Sequence, residues 1–154
     1  MSLPLITYLT YFFSNPEIVM HDIDFFLSYG FPWSLLTVLG SLLFVYSLIY
    51  QLIYRKELIR KGPYKFVRHP QYLGLIIMTF GLTAISLNTS PIYPFGNEFF
   101  SGQSLLVFIW IAELFAYLIL AKIEDFSLRK KYGKAFMEYE KSVGFMIPSL
   151  TIKQ

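Results

Sequence analysis

Three groups of residues in this chain could do chemistry. The first is Gly62-Pro63-Tyr64-Lys65-Phe66-Val67-Arg68-His69-Pro70-Gln71-Tyr72-Leu73-Gly74, which sets two prolines, basic side chains and a histidine directly before a long apolar run. Pro70 suits the first turn of a helix, where a missing N–H is no loss, so His69 falls at the cap. The N–H groups of Gln71, Tyr72 and Leu73 then point back toward Lys65, Arg68 and His69, an arrangement suited to an anion. The second group is Glu124-Asp125, at the end of another apolar run. If the helix ended there, its macrodipole would disfavour acids, so the pair needs a partner: Lys122, Arg129, lipid-facing water or a bound cation. The third is Glu113, in the middle of that run, where an ionisable group is costly. Glu113 shares a helical face with Tyr117 and Glu124. It reads either as a functional group facing a bundle interior or as a protonated acid bonded to Tyr46, Ser47 or a helix backbone.

Positioning these residues requires membrane helices. The chain has 154 residues, 55% hydrophobic and 19% aromatic, with mean hydropathy +0.52, too apolar for an ordinary soluble domain and of a length for one domain, 1–154. Of its 13 Lys and Arg, six lie between Arg55 and Arg68 and seven between Lys122 and Gln154. By the positive-inside rule both segments are cytosolic, and residues 1–54 and 69–121, which contain none, are membrane or exterior. The basic segments flank apolar spans, so the pI near 9.0 reflects topology and nucleic-acid binding is not expected. With no cysteine there is neither a disulfide nor a thiolate metal site, and no metal centre is expected. Met1-Ser2-Leu3-Pro4 carries no positive region, so no removable signal peptide is expected.

The expected fold is all-α and integral to the membrane, a bundle with spans at about 33–54, 70–88 and 104–121. Leu3 to Phe13 covers only about half of a ~30 Å hydrocarbon core and reads as an interfacial or partly inserted helix. His21, among acids, reads as solvated or locally paired. Ser34, Thr37 and Ser41, and then Gly74, Met78, Gly81 and Ile85, recur at helical spacing and predict close helix packing. Tyr46, Tyr50 and Tyr54 form an aromatic stripe toward the cytosolic surface. Residues 89–103 form an exterior loop. Tyr132, Phe136, Tyr139 and Val143 predict a cytosolic amphipathic helix along the membrane surface or over the bundle mouth, with Gly133 as a break or close contact.

The second and third spans are antiparallel neighbours, so the start of one and the end of the other meet at the cytosolic face. One rim offers Arg68, His69 and free N–H groups for an anion, the other Glu124 and Asp125 for a cation. A zwitterion fits that pair, and the amino-acid part of S-adenosylmethionine is one such ligand.

The two motifs, Gly62-Pro63-Tyr64 with Arg68 to Gly74 and Glu124-Asp125 with Tyr132-Gly133, Phe136, Tyr139, Val143 and Pro148, resemble the isoprenylcysteine carboxyl methyltransferase and phospholipid N-methyltransferase superfamily. The resemblance covers roughly Gly62 to Pro148. It implies an integral membrane methyltransferase that binds S-adenosylmethionine at the cytosolic end of the bundle. By position it implies that His69 and Tyr72 contact the cofactor's polar groups, with Pro70 opening their helix, and that Gly62 to Tyr64 shape the pocket wall. Glu124 and Asp125 would hold the ammonium, and Tyr132 and Tyr139 would help close the pocket. The prenylcysteine enzymes typically have arginine and proline around the valine matching Val143, where this chain has Ser142 and Gly144. The acceptor is therefore expected to be lipophilic without being fixed: a prenylcysteine carboxylate, a phospholipid amine or similar. A carboxylate acceptor needs no base, whereas an amine needs one, for which Glu113 or Glu124 is available. The alternative is a non-catalytic membrane module whose basic loops bind anionic lipids.

Overall fold

The computed structural model describes residues 30–88 and 102–148, together with residues 26 and 28. The helix expected at 3–13, His21 and most of the loop expected at 89–103 lie outside the described residues. Among the described residues four α-helices follow one another: α1 Trp33–Ile53, α2 Pro70–Asn88, α3 Gly102–Tyr132 and α4 Lys134–Ser142, with a 3-10 turn at Gly62–Lys65 between α1 and α2. β pairing among these residues is limited to one isolated parallel bridge, Val67 with Gly144. The first three helices are long and apolar enough to cross a membrane. At 1.5 Å per residue, the 21 residues of α1 reach about 30 Å. Leu42, Leu52, Phe108, Phe115 and Ile119 are each more than half exposed, as expected of helix faces that meet lipid.

α2 begins at Pro70 and ends at Asn88, and α1 stops at Ile53 just before Arg55-Lys56. The third helix corrects the expected end at 121, since α3 runs on to Tyr132. The apolar run stops at Lys122, but no glycine or proline follows until Gly133, and Lys, Glu, Leu and Arg all favour a helix. Hydropathy marks where the apolar layer ends, while the backbone has no reason to stop there. Glu124 and Asp125 therefore sit inside a helix, more than a turn from its end, where the macrodipole no longer weighs against them. The last turn instead carries Arg129, Lys130 and Lys131, which suit its negative pole. Gly133, at φ +54°, breaks the chain into α4. The amphipathic helix expected through Tyr132 and Val143 is accordingly shorter: Phe136 and Tyr139 are buried on α4, whereas Tyr132 belongs to α3 and Val143 lies beyond the helix.

The described residues fall into two compact units, one within Met1–Leu39 and Ile76–Phe115, the other within Gly40–Leu75 and Ala116–Gln154. In the first, Gly81 packs directly on α1: a Cβ there would lie 2.6 Å from the Trp33 carbonyl and 2.8 Å from the Thr37 nitrogen. This unit holds an apolar cavity of about 370 Å³ lined by Trp33, Phe80, Val107 and Trp110 among others. In the second, a Cβ on Gly74 would lie 2.6 Å from the Phe44 nitrogen and 2.9 Å from the Gly40 carbonyl. The small-residue seam expected along α2 thus meets backbone in both units. The core of the second unit gathers Tyr64, Val67, His69, Ala121, Phe136 and Tyr139.

Candidate functional site

The segment before α2 is held along its whole length. Gly62 has φ +59°, and a Cβ there would sit 2.6 Å from the Tyr50 ring, so both backbone and space require glycine. The Pro63 carbonyl accepts from Phe66 and Val67 N–H at 3.2 and 3.4 Å. Val67 bridges to Gly144, and Arg68 N–H donates to the Gly144 carbonyl at 2.9 Å. The returning C-terminal segment therefore fixes the backbone that presents Arg68 and His69. The His69 carbonyl accepts the Leu73 N–H at 3.1 Å, which puts His69 at the cap as expected.

These two side chains enter a buried ionic cluster. Arg68 Nη1 donates to Asp125 Oδ2 at 2.6 Å and to Glu140 Oε1 at 3.0 Å. Glu140 Oε2 accepts from Arg129 Nη2 at 2.5 Å, which ties α4 back to α3. His69 Nε2 lies 2.8 Å from Asp125 Oδ1. Since an ionised carboxylate can only accept, the proton of a neutral ring belongs on Nε2. Side-chain exposure is 8% for Arg68, 7% for Asp125 and 1% for His69, so the three are nearly dry. On the other edge of the ring, Nδ1 is 3.4 Å from Glu124 Oε2 without hydrogen-bond geometry. His69 Nδ1 and Arg68 Nε are both buried without a hydrogen-bond partner, the first an acceptor in that tautomer and the second a donor. Glu124 differs from Asp125 in keeping 27% of its side chain exposed.

A neutral chain of bonds runs beside the cluster. The Tyr139 hydroxyl donates to the Tyr64 carbonyl at 2.6 Å, the Tyr64 hydroxyl lies 3.1 Å from Gln71 Oε1, and Gln71 Nε2 donates to Glu124 Oε2 at 3.3 Å. Burial, followed by the Glu124 charge, pushes the Tyr64 phenol well above its ordinary range. Burial does the same to Tyr139, with the nearby Arg68 opposing it. Both hydroxyls therefore remain donors at neutral pH. For Glu140, burial raises the carboxyl, but hydrogen bonds from Arg129 and Arg68 outweigh it and hold the group below the usual range. Tyr72 stacks on His69 at 5.8 Å and on Tyr117 at 5.8 Å, and Phe145 meets the His69 ring edge-on at 5.3 Å. The Arg68 guanidinium and the Lys122 ammonium lie 5.3 and 4.4 Å from the Phe145 ring.

His69, Tyr72, Glu124, Asp125, Tyr64 and Tyr139 thus come together in one unit, with Pro70 buried at the start of α2 and Gly62 against Tyr50. Both Asp125 oxygens are taken by Arg68 and His69, so of the two acids Glu124 is the one with room for a ligand. Tyr132 ends α3, with the Lys131 ammonium 4.9 Å from its ring. Glu113 belongs to the other unit, its carboxylate oxygens shielded from solvent. Three side chains that take part are not among the expected ligands: Gln71, which lies inside the first motif, Glu140 and Phe145. The polar set fits a zwitterion: Glu124 and His69 Nδ1 accept, as an ammonium requires, and Arg68 Nε donates, as a carboxylate requires.

Comparison with known families finds that residues 29–97 match the isoprenylcysteine carboxyl methyltransferase (ICMT) family. The matched segment is just under half of the chain, and it contains all of Gly62 to Gly74. It reaches back through α1, which the motif-based resemblance leaves as plain hydrophobic helix, and stops before α3. No curated protein and no solved structure matches the chain.

Proposed function

We propose that this chain is an S-adenosylmethionine-dependent membrane methyltransferase acting on a lipophilic acceptor at the cytosolic face. The reading rests chiefly on the cluster around His69, where His69 Nδ1, a buried acceptor without a hydrogen-bond partner, adjoins the Glu124 carboxylate, and Arg68 Nε is a buried donor without one. The similarity of residues 29–97 to a methyltransferase family supports it. Glu124 and His69 Nδ1 would hold the ligand's ammonium, and Arg68 Nε would face its carboxylate. Asp125 serves Arg68 and His69 rather than the ligand, since it neutralises the one and orients the ring of the other. Tyr72 stacks on His69 and limits its rotation. Phe145, edge-on to the same ring, helps shield it from water. When bound, S-adenosylmethionine supplies an electrophilic methyl group on a sulfonium. The protein's part is then positioning and water exclusion, and an amine acceptor would also need Glu124 as its base. The basic segments Arg55 to Arg68 and Lys122 onward face the cytosol in this reading, and the acceptor reaches the site from the bilayer.

Isothermal titration of S-adenosylhomocysteine into the detergent-solubilised chain tests this. Binding that His69→Ala or Glu124→Ala weakens strongly, and Lys130→Ala or Lys131→Ala does not, is the expected result. Absence of binding by the wild-type chain refutes the enzyme reading, and equal losses in all four variants would point to lipid electrostatics instead.

A further inference from the structure

Gln71 is 5% exposed and lies between two polar groups whose needs differ. At one end of its amide stands the Tyr64 hydroxyl, 3.1 Å from Oε1, and at the other Glu124 Oε2, 3.3 Å from Nε2. An amide offers an acceptor on one side and two donors on the other, and a flip interchanges the two. Glu124, when ionised, only accepts, so the NH₂ must face it and Oε1 must face Tyr64. Two oxygens at 3.1 Å then need a proton between them, which the Tyr64 hydroxyl supplies. The hydroxyl's other neighbour, the Ser47 carbonyl at 3.4 Å, is the longer contact. Tyr64 is itself held from α4, where the Tyr139 hydroxyl donates to its carbonyl. The direction of every bond in the chain from Tyr139 through Tyr64 and Gln71 to Glu124 is therefore fixed.

We infer that Gln71 is a positioning residue which sets the Glu124 carboxylate for a ligand's ammonium, a role that rests on the function proposed above. Glu124 is the partly exposed acid of the cluster, and a glutamate on a helix has several rotamers to lose. The bond from Gln71 selects one of them, with the Tyr72 hydroxyl beside the same carboxylate. A carboxylate has about four acceptor sites, so one amide N–H leaves room for a cation. A buried amide carries no charge of its own, so it orients Glu124 without competing for the ligand as Arg68 would.

The test uses the full chain in detergent and two probes, S-adenosylhomocysteine and 5′-methylthioadenosine, which lacks the amino-acid part. Gln71→Leu should weaken S-adenosylhomocysteine by about tenfold, the scale of a hydrogen bond to a charged group, and leave 5′-methylthioadenosine within about twofold. Added to Glu124→Gln, the same substitution should cost nothing more, because its effect passes through that carboxylate. Tyr64→Phe, which preserves shape, should act in the same direction and supplies a second variant if Gln71→Leu folds poorly. Equal losses for both probes, no loss for either, or losses that add fully to those of Glu124→Gln would overturn the role of Gln71 alone. Failure of the wild-type chain to bind either probe would overturn the functional reading and this role with it.

Discussion

Asp125→Ala removes the acceptor on which both Arg68 and His69 depend. The Arg68–Asp125 pair is 2.6 Å long with side chains 8% and 7% exposed, and the His69 contact is 2.8 Å with the ring 1% exposed. Removing one partner of a buried ion pair costs about 3–5 kcal/mol, because the other charge stays buried. Arg68 keeps Glu140 at 3.0 Å, which argues for the lower end, about 3 kcal/mol. Asp125→Asn should cost less, about 1 kcal/mol: its carbonyl can still accept from Arg68, and the His69 ring can accept from its NH₂ by exchanging tautomers. At about 2–4 °C per kcal/mol for a chain of this size, alanine should lower the unfolding midpoint by roughly 6–12 °C and asparagine by roughly 2–4 °C. Thermal unfolding followed by circular dichroism in one detergent at neutral pH measures both. Alanine melting within about a degree of wild type, or the two variants losing equally, would refute the view that this carboxylate is the hub of the cluster.

Glu140 is held below the usual carboxylate range, so its contribution is present above the unfolded-state value and is lost as pH falls through the folded one. Glu140→Gln should therefore melt lower than wild type at neutral pH and converge with it in acid, whereas a gap that stays constant with pH would count against the Arg68–Glu140–Arg129 tie. Gly62→Ala should destabilise by about 1–2 kcal/mol for the left-handed backbone alone, and more for the Tyr50 clash. Tyr50→Leu should recover the second part of that loss, but nothing of the loss from Gly133→Ala, where a Cβ meets no atom within 4 Å. Gly74→Ala drives its Cβ into the backbone of Gly40 and Phe44, which cannot rotate away, and should lower stability by about 1–3 kcal/mol in the same melting assay.

How far the chain can be read from its residues differs from one element to the next. Pro70 announces the start of α2, because its ring and missing N–H have one natural place in a helix. The end of α3 is hidden, because hydropathy and helix propensity part company at Lys122: the former marks the edge of an apolar layer, the latter runs on to Gly133. That His69 lies near Glu124 and Asp125 is legible from two antiparallel spans and the placement of charge. Which groups bond to one another is not. Asp125 reads like Glu124 in a sequence, and the structure separates them: Arg68, itself held by Glu140 and Gly144, and His69 take both Asp125 oxygens, while Glu124 stays partly open. Gln71 stands inside the first motif, but the part its side chain plays is not legible there, since it depends on a Tyr64 hydroxyl that a 3-10 turn brings to it.

Methyl transfer itself can be followed with a labelled donor. The wild-type chain, reconstituted in vesicles, would be given tritiated S-adenosylmethionine and a panel of lipids, prenylcysteines and small thiols. Label should appear in a lipophilic product, and His69→Ala and Glu124→Ala should each reduce it strongly. Label that stays in the donor with every acceptor, from a preparation that binds S-adenosylhomocysteine, would contradict methyl transfer.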